Sequence, residues 1–142
     1  MELASVIFLL LAIFGWGMGA FFDKISLKYL DPSGAFYVRS LFMIIIFAPL
    51  VAWKYGATRQ ALLGSDKLGP LFVLGSVIVS MGGVFFYLKA LSGGAATKIV
   101  PLTSTYPFVT FALAVLFLGE NITLNKFVGT MLLSGGIYFI TK

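Results

Sequence analysis

The sequence contains no cysteine and no histidine. Without thiols, neither a disulfide framework nor a thiolate metal site is available. Without imidazole, the commonest metal ligand and the commonest general base at neutral pH are missing. No nucleophile motif or phosphate-binding loop is recognisable either, because the glycine-rich piece at residues 15–19 lies inside an apolar run. We therefore expect no metal, no cofactor and no enzymatic activity.

Charged residues are also scarce. They make up 11% of the chain, against 60% hydrophobic residues, and the mean hydropathy is +1.05. Soluble domains typically carry about 25% charged residues. The net charge of +5 comes from ten Lys and Arg residues that are scattered singly along the chain. This pattern argues against a soluble domain and against nucleic acid as a partner.

Long apolar runs fill most of the chain instead. A helix needs roughly 20 apolar residues to cross the hydrocarbon core of a bilayer. The initial run is too long for a signal peptide and has no basic flank, so we expect it to be retained. We predict one all-α membrane domain over residues 1–142, a five-helix bundle in the inner or plasma membrane. The predicted spans are residues 3–22, 33–53, 68–89, 96–118 and 122–141.

Five spans place the two termini on opposite sides of the membrane, and the basic residues barely favour either side. The four on one side are Lys54, Arg59, Lys67 and Lys126, and the five on the other are Lys24, Lys28, Lys89, Lys98 and Lys142. The second side has six if Arg39 extends to the same face. Orientation normally follows the Lys and Arg bias of short loops. Either a few charges near the first helices fix one orientation, or the chain inserts both ways.

Every carboxylate lies near the end of a predicted span. These residues are Glu2, Asp23, Asp31, Asp66 and Glu120. A proton-coupled exchanger of cationic drugs needs an acid inside the membrane that binds proton and substrate in turn. The distribution therefore argues against the mechanism of the small multidrug resistance proteins.

One charge, Arg39, lies inside a predicted span, roughly 9 Å from its start at 1.5 Å per residue. It is a candidate counter-charge for an anionic group such as a substrate carboxylate. The alternatives are an anchor that extends to the headgroups, or a helix-packing ion pair with Asp23 or Asp31.

The fourth span is unusually polar. Pro101 and Pro107 each remove a backbone donor, which predicts helix kinks and carbonyls that need other partners. Between them lie hydroxyl residues and an aromatic, which together with Lys98 predict a cavity lining: Thr103, Ser104 and Tyr106. Alternatively, Ser and Thr bond to their own backbone one turn back, and Tyr106 packs at a helix interface.

Two aromatic residues complete the candidate site. Trp16 lies within an apolar span, between Gly15 and Gly19, and is either a cavity-lining side chain or one that faces lipid or the core. Glycines at this spacing allow helices to approach closely in lipid. Tyr87, beside Lys89, is expected near the membrane interface.

The run from Tyr87 to Gly129 resembles the EamA domain of the drug/metabolite transporter superfamily. It carries the pattern YLKALSGGAA at the end of span 3, the two prolines of span 4, and LGENIT leading into span 5. Gly-Trp-Gly in span 1 and Arg39 in span 2 also fit. The resemblance implies a ten-span fold made of two inverted five-span halves, of which this chain carries one copy. It also implies export or exchange of small metabolites such as amino acids, sugars or nucleotide-linked compounds, with Trp16, Arg39, Tyr87 and residues 98–107 near the cavity.

The resemblance and the charge balance together predict a transporter that acts as an antiparallel homodimer. A transport path between inverted units is typical of such proteins. The alternative is a non-transporting membrane subunit that pairs with a related five-span chain to form or regulate a transporter.

Overall fold

The computed structural model describes residues 3–64 and 68–141, and the regular structure in these ranges is entirely helical. Four helical stretches there are long and apolar enough to cross a membrane, and the last apolar helix, Leu124–Ile140, is shorter. The all-α membrane fold is therefore confirmed. The charged residues Glu2, Asp66, Lys67 and Lys142, used above, lie outside the described residues. In chain order the helices are α1 (Leu3–Ser26), α2 (Pro32–Trp53), α3 (Tyr55–Leu63), α4 (Leu68–Gly93), α5 (Ala96–Thr103), α6 (Tyr106–Leu118) and α7 (Leu124–Thr141).

The turn between α1 and α2 is determined by local sequence. Asp31 caps α2, and its Oδ2 atom accepts hydrogen bonds from the backbone N–H groups of Ser33 (3.0 Å) and Gly34 (3.1 Å). Pro32 occupies the first helical position, where no donor is required. A Cβ atom on Gly34 would lie 2.7 Å from Asp31 Oδ1, so a larger residue there would displace the capping side chain.

The segment after α2 differs from expectation. The sequence predicts a surface loop for the connector at 54–67, but its residues Tyr55–Leu63 form helix α3, which contacts the end of α2. Its Ala, Gln, Arg and Leu residues have high helix propensity, and no proline interrupts them. At 9 residues, α3 is far too short to cross a membrane.

The fourth span is broken into two helices. α5 ends at Thr103 and α6 begins at Tyr106. Since Pro107 has no N–H, the carbonyl of Thr103 lacks the donor that a continuous helix would supply. α6 then ends at Gly119, whose φ of 65° is the left-handed conformation that glycine adopts without strain.

The chain divides into two compact units, residues 1–92 and residues 93–142. In the second unit, α5 packs against α7, and Thr123 caps α7 through the Lys126 N–H at 3.3 Å. In the first unit, the buried apolar residues are Ala35, Leu88 and Leu91. Ala35 lies near the start of α2, and Leu88 and Leu91 lie near the end of α4, where Lys24 at the end of α1 contacts Leu91. The tightest packing of this unit is therefore at one end of its three long helices.

Candidate substrate site

An ion pair joins α1 to α2 at the closely packed end of the first unit. Arg39 Nη1 lies 2.7 Å from Asp23 Oδ1 and 2.8 Å from Oδ2. The side chains are only 33% and 18% exposed, respectively. The structure therefore shows the helix-packing ion pair that the sequence left as one alternative for Arg39. Its role towards a substrate stays a prediction.

The neighbouring residue on α1 holds the end of α4. Lys24 Nζ donates a 2.7 Å hydrogen bond to the backbone carbonyl of Leu91, in the last turn of α4. The last carbonyls of a helix have no partner within the helix, and a cation there also interacts favourably with the helix dipole. Lys24 and Asp23 together tie α1 to both α2 and α4.

Tyr87 lies on α4, and its hydroxyl is buried. Among the described residues this oxygen has no hydrogen-bond partner, although the charges of both Asp23 and Arg39 act on it. An interfacial tyrosine would turn its hydroxyl towards water, and this one does not. A buried polar atom without a partner costs free energy, so it requires an explanation.

Aromatic rings pack beside these groups. Phe36 of α2 meets Phe85 of α4 edge to face, with ring centroids 5.4 Å apart. The Lys89 ammonium lies 4.6 Å from the centroid of Phe85.

We call Asp23, Lys24, Arg39 and Tyr87 the charged cluster; it combines two cations, one anion and one hydroxyl at the edge of an apolar core.

The polar residues of the fourth span satisfy their hydroxyls locally. Thr103 and Ser104 both donate to the carbonyl of Val100, at 2.8 and 3.0 Å, and Thr105 donates to that of Leu102. This is the one-turn-back bonding that the sequence left open. Lys98 and Tyr106 are exposed on the second unit, and Tyr106 borders a shallow groove with Thr110, Glu120 and Lys126.

Trp16 does not join the charged cluster. Its side chain is 69% exposed, and none of the described residues of α1 is buried. Of the site residues predicted in the first unit, Arg39 lies close enough to Tyr87 for its charge to act on the hydroxyl. Sequence reasoning missed Lys24, whose position at the end of a span resembled that of an ordinary anchor.

The sequence matches the EamA-like transporter family over residues 3–142. The chain belongs to this family. It is therefore a multi-pass membrane transporter of the drug/metabolite type, with the predicted resemblance confirmed.

Relatives of this EamA-like chain differ in length. An uncharacterized protein of Methanocaldococcus jannaschii is 32% identical, with 99% of this chain and 98% of that protein covered. An uncharacterized transporter of Archaeoglobus fulgidus is 29% identical over 96% of this chain, but only 47% of that protein is covered. An uncharacterized transporter of a Sinorhizobium species is 28% identical, with 82% of each chain covered. No solved structure matches the chain.

Proposed function

We propose that this EamA-like protein exports or exchanges small metabolites across the plasma (inner) membrane as an antiparallel homodimer. The proposal is supported by the two-half architecture that the family resemblance implies, of which this chain matches one half. The chain covers 47% of the Archaeoglobus transporter and 98% of the Methanocaldococcus protein, so two copies would together match the length of the longer relative. Because five is an odd number of spans, the second five-span half of a ten-span transporter enters the membrane inverted. Two copies of this chain would reproduce that arrangement as antiparallel partners.

The balance of basic residues supports insertion in both orientations. If each span crosses once, the described basic residues other than Arg39 divide into three on one side and four on the other, or five when Arg39 is counted with the nearer end of its span. The three are Lys54, Arg59 and Lys126, and the four are Lys24, Lys28, Lys89 and Lys98. When Lys67 and Lys142 are added, the division is four against five, or four against six with Arg39. So small a difference in Lys and Arg between the two sides does not strongly favour either orientation.

The surface of α1 supports a close helix partner. A Cβ atom on Gly15, Gly17 or Gly19 would meet no atom within 4 Å, so these glycines border open space in the single chain. Helices in lipid associate through such small residues, because the backbones can then approach closely. A second copy is the partner that the antiparallel arrangement provides.

In this proposal the substrate path runs between the two copies. Arg39 and Tyr87 contribute polar groups from the first unit, and Trp16 contributes an aromatic surface. The broken fourth span contributes further polar side chains to this path, namely Lys98, Thr103, Ser104 and Tyr106. Its prolines, Pro101 and Pro107, allow the helix to bend during alternating access.

Labelling of single cysteines tests the antiparallel arrangement directly, because the chain has no native cysteine. We expect Gln60→Cys, in α3, to react in intact cells with a membrane-impermeant thiol reagent in about half of the molecules. The remainder should react only after permeabilisation. Phe14→Cys, in the middle of α1, is the control that stays unlabelled. Complete labelling before permeabilisation, or none, excludes the antiparallel homodimer.

Transport by the purified chain separates the proposal from the subunit alternative. The protein is reconstituted in liposomes and screened against amino acids, polyamines, sugars and nucleotide derivatives. Movement of a solute by this chain alone supports the homodimer. Movement only after a related five-span chain is added supports the alternative.

A further inference from the structure

The charged cluster has more hydrogen-bond donors than acceptors. Arg39 Nη1 makes both hydrogen bonds to Asp23, so Nη2 and Nε take no part in the pair. A guanidinium carries five N–H donors in a planar fork that matches carboxylate and phosphate. The Tyr87 hydroxyl adds a donor with no partner among the described residues.

The charges of the cluster, like its unused hydrogen-bond donors, favour an anionic ligand. Asp23 is the one carboxylate of the cluster, and it engages a single nitrogen of the Arg39 guanidinium, so the other edge of this cation faces no carboxylate of the cluster. Lys24 is held at the α4 carbonyl of Leu91. A further negative group would engage that edge of Arg39 and provide an acceptor for the orphaned hydroxyl.

The position of the cluster suits a ligand that enters from one membrane face. Arg39 lies seven residues after Pro32 and Tyr87 six residues before Gly93, or about 10 Å and 9 Å along their helices. The Arg39 side chain is 33% exposed, so its fork remains accessible. At this depth a charge-assisted hydrogen bond is stronger than in bulk water.

We propose that Arg39 and Tyr87 bind an oxyanion, a carboxylate or phosphate group, with Asp23 as the internal anion that orients and partly neutralises Arg39. In the bound state the oxyanion accepts from the Nη2 and Nε edge of Arg39 and from the Tyr87 hydroxyl. Where the oxyanion belongs to a transported solute, this inference rests on the proposed transport function and narrows its substrates to anionic metabolites. The same chemistry is present in a lipid phosphate.

Thermal unfolding of the full chain in nanodiscs of phosphatidylcholine tests the proposal. Inorganic phosphate and L-glutamate are titrated against sodium chloride of equal ionic strength, so that screening is matched. We expect a saturable rise of the unfolding midpoint with at least one of the two oxyanions. Arg39→Gln should abolish the rise, and Tyr87→Phe should weaken the apparent affinity about tenfold, which corresponds to one hydrogen bond to a charged group.

Two matched variants serve as controls. Arg59→Gln changes the other arginine of the chain, on α3, and Tyr29→Phe changes an exposed tyrosine between α1 and α2. Both should respond to the oxyanions like the unmodified chain. Tyr87→Phe keeps the ion pair, so it remains informative if Arg39→Gln does not fold. Without ligand it should also raise the unfolding midpoint, because it removes an unpartnered buried hydroxyl.

A second series of nanodiscs, containing phosphatidylglycerol, distinguishes the two sources of the oxyanion. If soluble oxyanions raise the unfolding midpoint in phosphatidylcholine nanodiscs, and the Arg39 and Tyr87 variants lose this rise, the site binds a solute. A rise caused only by phosphatidylglycerol, with the same dependence on Arg39 and Tyr87, assigns it to a lipid headgroup. Midpoints that respond to neither probe, or that respond equally in Tyr87→Phe, overturn the proposal. Transport of a neutral solute without any oxyanion response would overturn this inference while leaving the proposed transport function intact.

Discussion

The two ion pairs of the described residues, one in each unit, differ in almost every respect. Asp23 and Arg39 lie on different helices, with atoms 2.7 Å apart and side chains 18% and 33% exposed. Glu120 and Lys126 are six residues apart, their atoms are 3.4 Å apart, and their side chains are 54% and 49% exposed. The first pair joins two membrane helices, and the second spans a turn before α7.

The difference shows where each unit concentrates its polar contacts. The first unit joins three helices, through the Arg39–Asp23 ion pair between α2 and α1 and the Lys24 hydrogen bond to a backbone carbonyl of α4. These groups meet only when the helices pack together. The second unit satisfies its hydroxyls within a single turn, at the carbonyls of Val100 and Leu102. Contacts of the first kind hold tertiary structure, whereas contacts of the second kind leave the helix free to bend.

The largest contrast is expected when each ion pair is broken. Arg39→Gln should lower the free energy of unfolding by about 2 kcal/mol, below the roughly 3–5 kcal/mol of a fully buried pair because both side chains are partly exposed. Lys126→Gln should cost less than about 0.5 kcal/mol, as exposed pairs do. Denaturant unfolding in detergent measures both. Equal losses would contradict the distinction drawn between the two pairs.

A smaller effect is expected at the hydrogen bond that ties α1 to α4. Lys24→Met keeps most of the apolar stem but removes the donor to the Leu91 carbonyl, and should cost about 1 kcal/mol. Lys28→Met, on the exposed turn after α1, is the control and should stay within about 0.5 kcal/mol of the unmodified chain. The same unfolding measurement applies. Indistinguishable variants would mean that Lys24 acts only as a membrane anchor.

The smallest effect on stability is expected in the broken span. Ser104→Ala removes a hydroxyl that bonds only one turn back, at the Val100 carbonyl, so stability should change by less than about 0.5 kcal/mol. Solute flux in liposomes is measured in parallel. A fall in flux at unchanged stability supports Ser104 as a cavity residue, and unchanged flux removes it from the proposed path.

The features predictable from sequence are those determined locally. Length and hydropathy located the long apolar helices, and the start of α2 at the Asp31 cap and Pro32 is likewise a local feature. The ion pair of Arg39 was one of three alternatives, because spacing along the chain does not say which acid on another helix lies opposite.

Other features depend on chain context that the pattern did not reveal. The segment of α3 is polar enough to resemble a loop, although its residues favour a helix. Burial of the Tyr87 hydroxyl follows from the packing of α1, α2 and α4, and adjacency to Lys89 suggested an interfacial ring instead. The role of Lys24 depends on the position of the last turn of α4, which lies 67 residues away along the chain.

Helix α3 has a consequence for the bilayer itself. It follows α2 after one residue, beside the exposed aromatic rings of Trp53 and Tyr55, which favour the headgroup region. A short helix held there occupies lateral area in one leaflet only. An antiparallel pair would insert one α3 into each leaflet and so add area equally, without bending the membrane. A parallel pair would add both to the same leaflet and favour curved membranes.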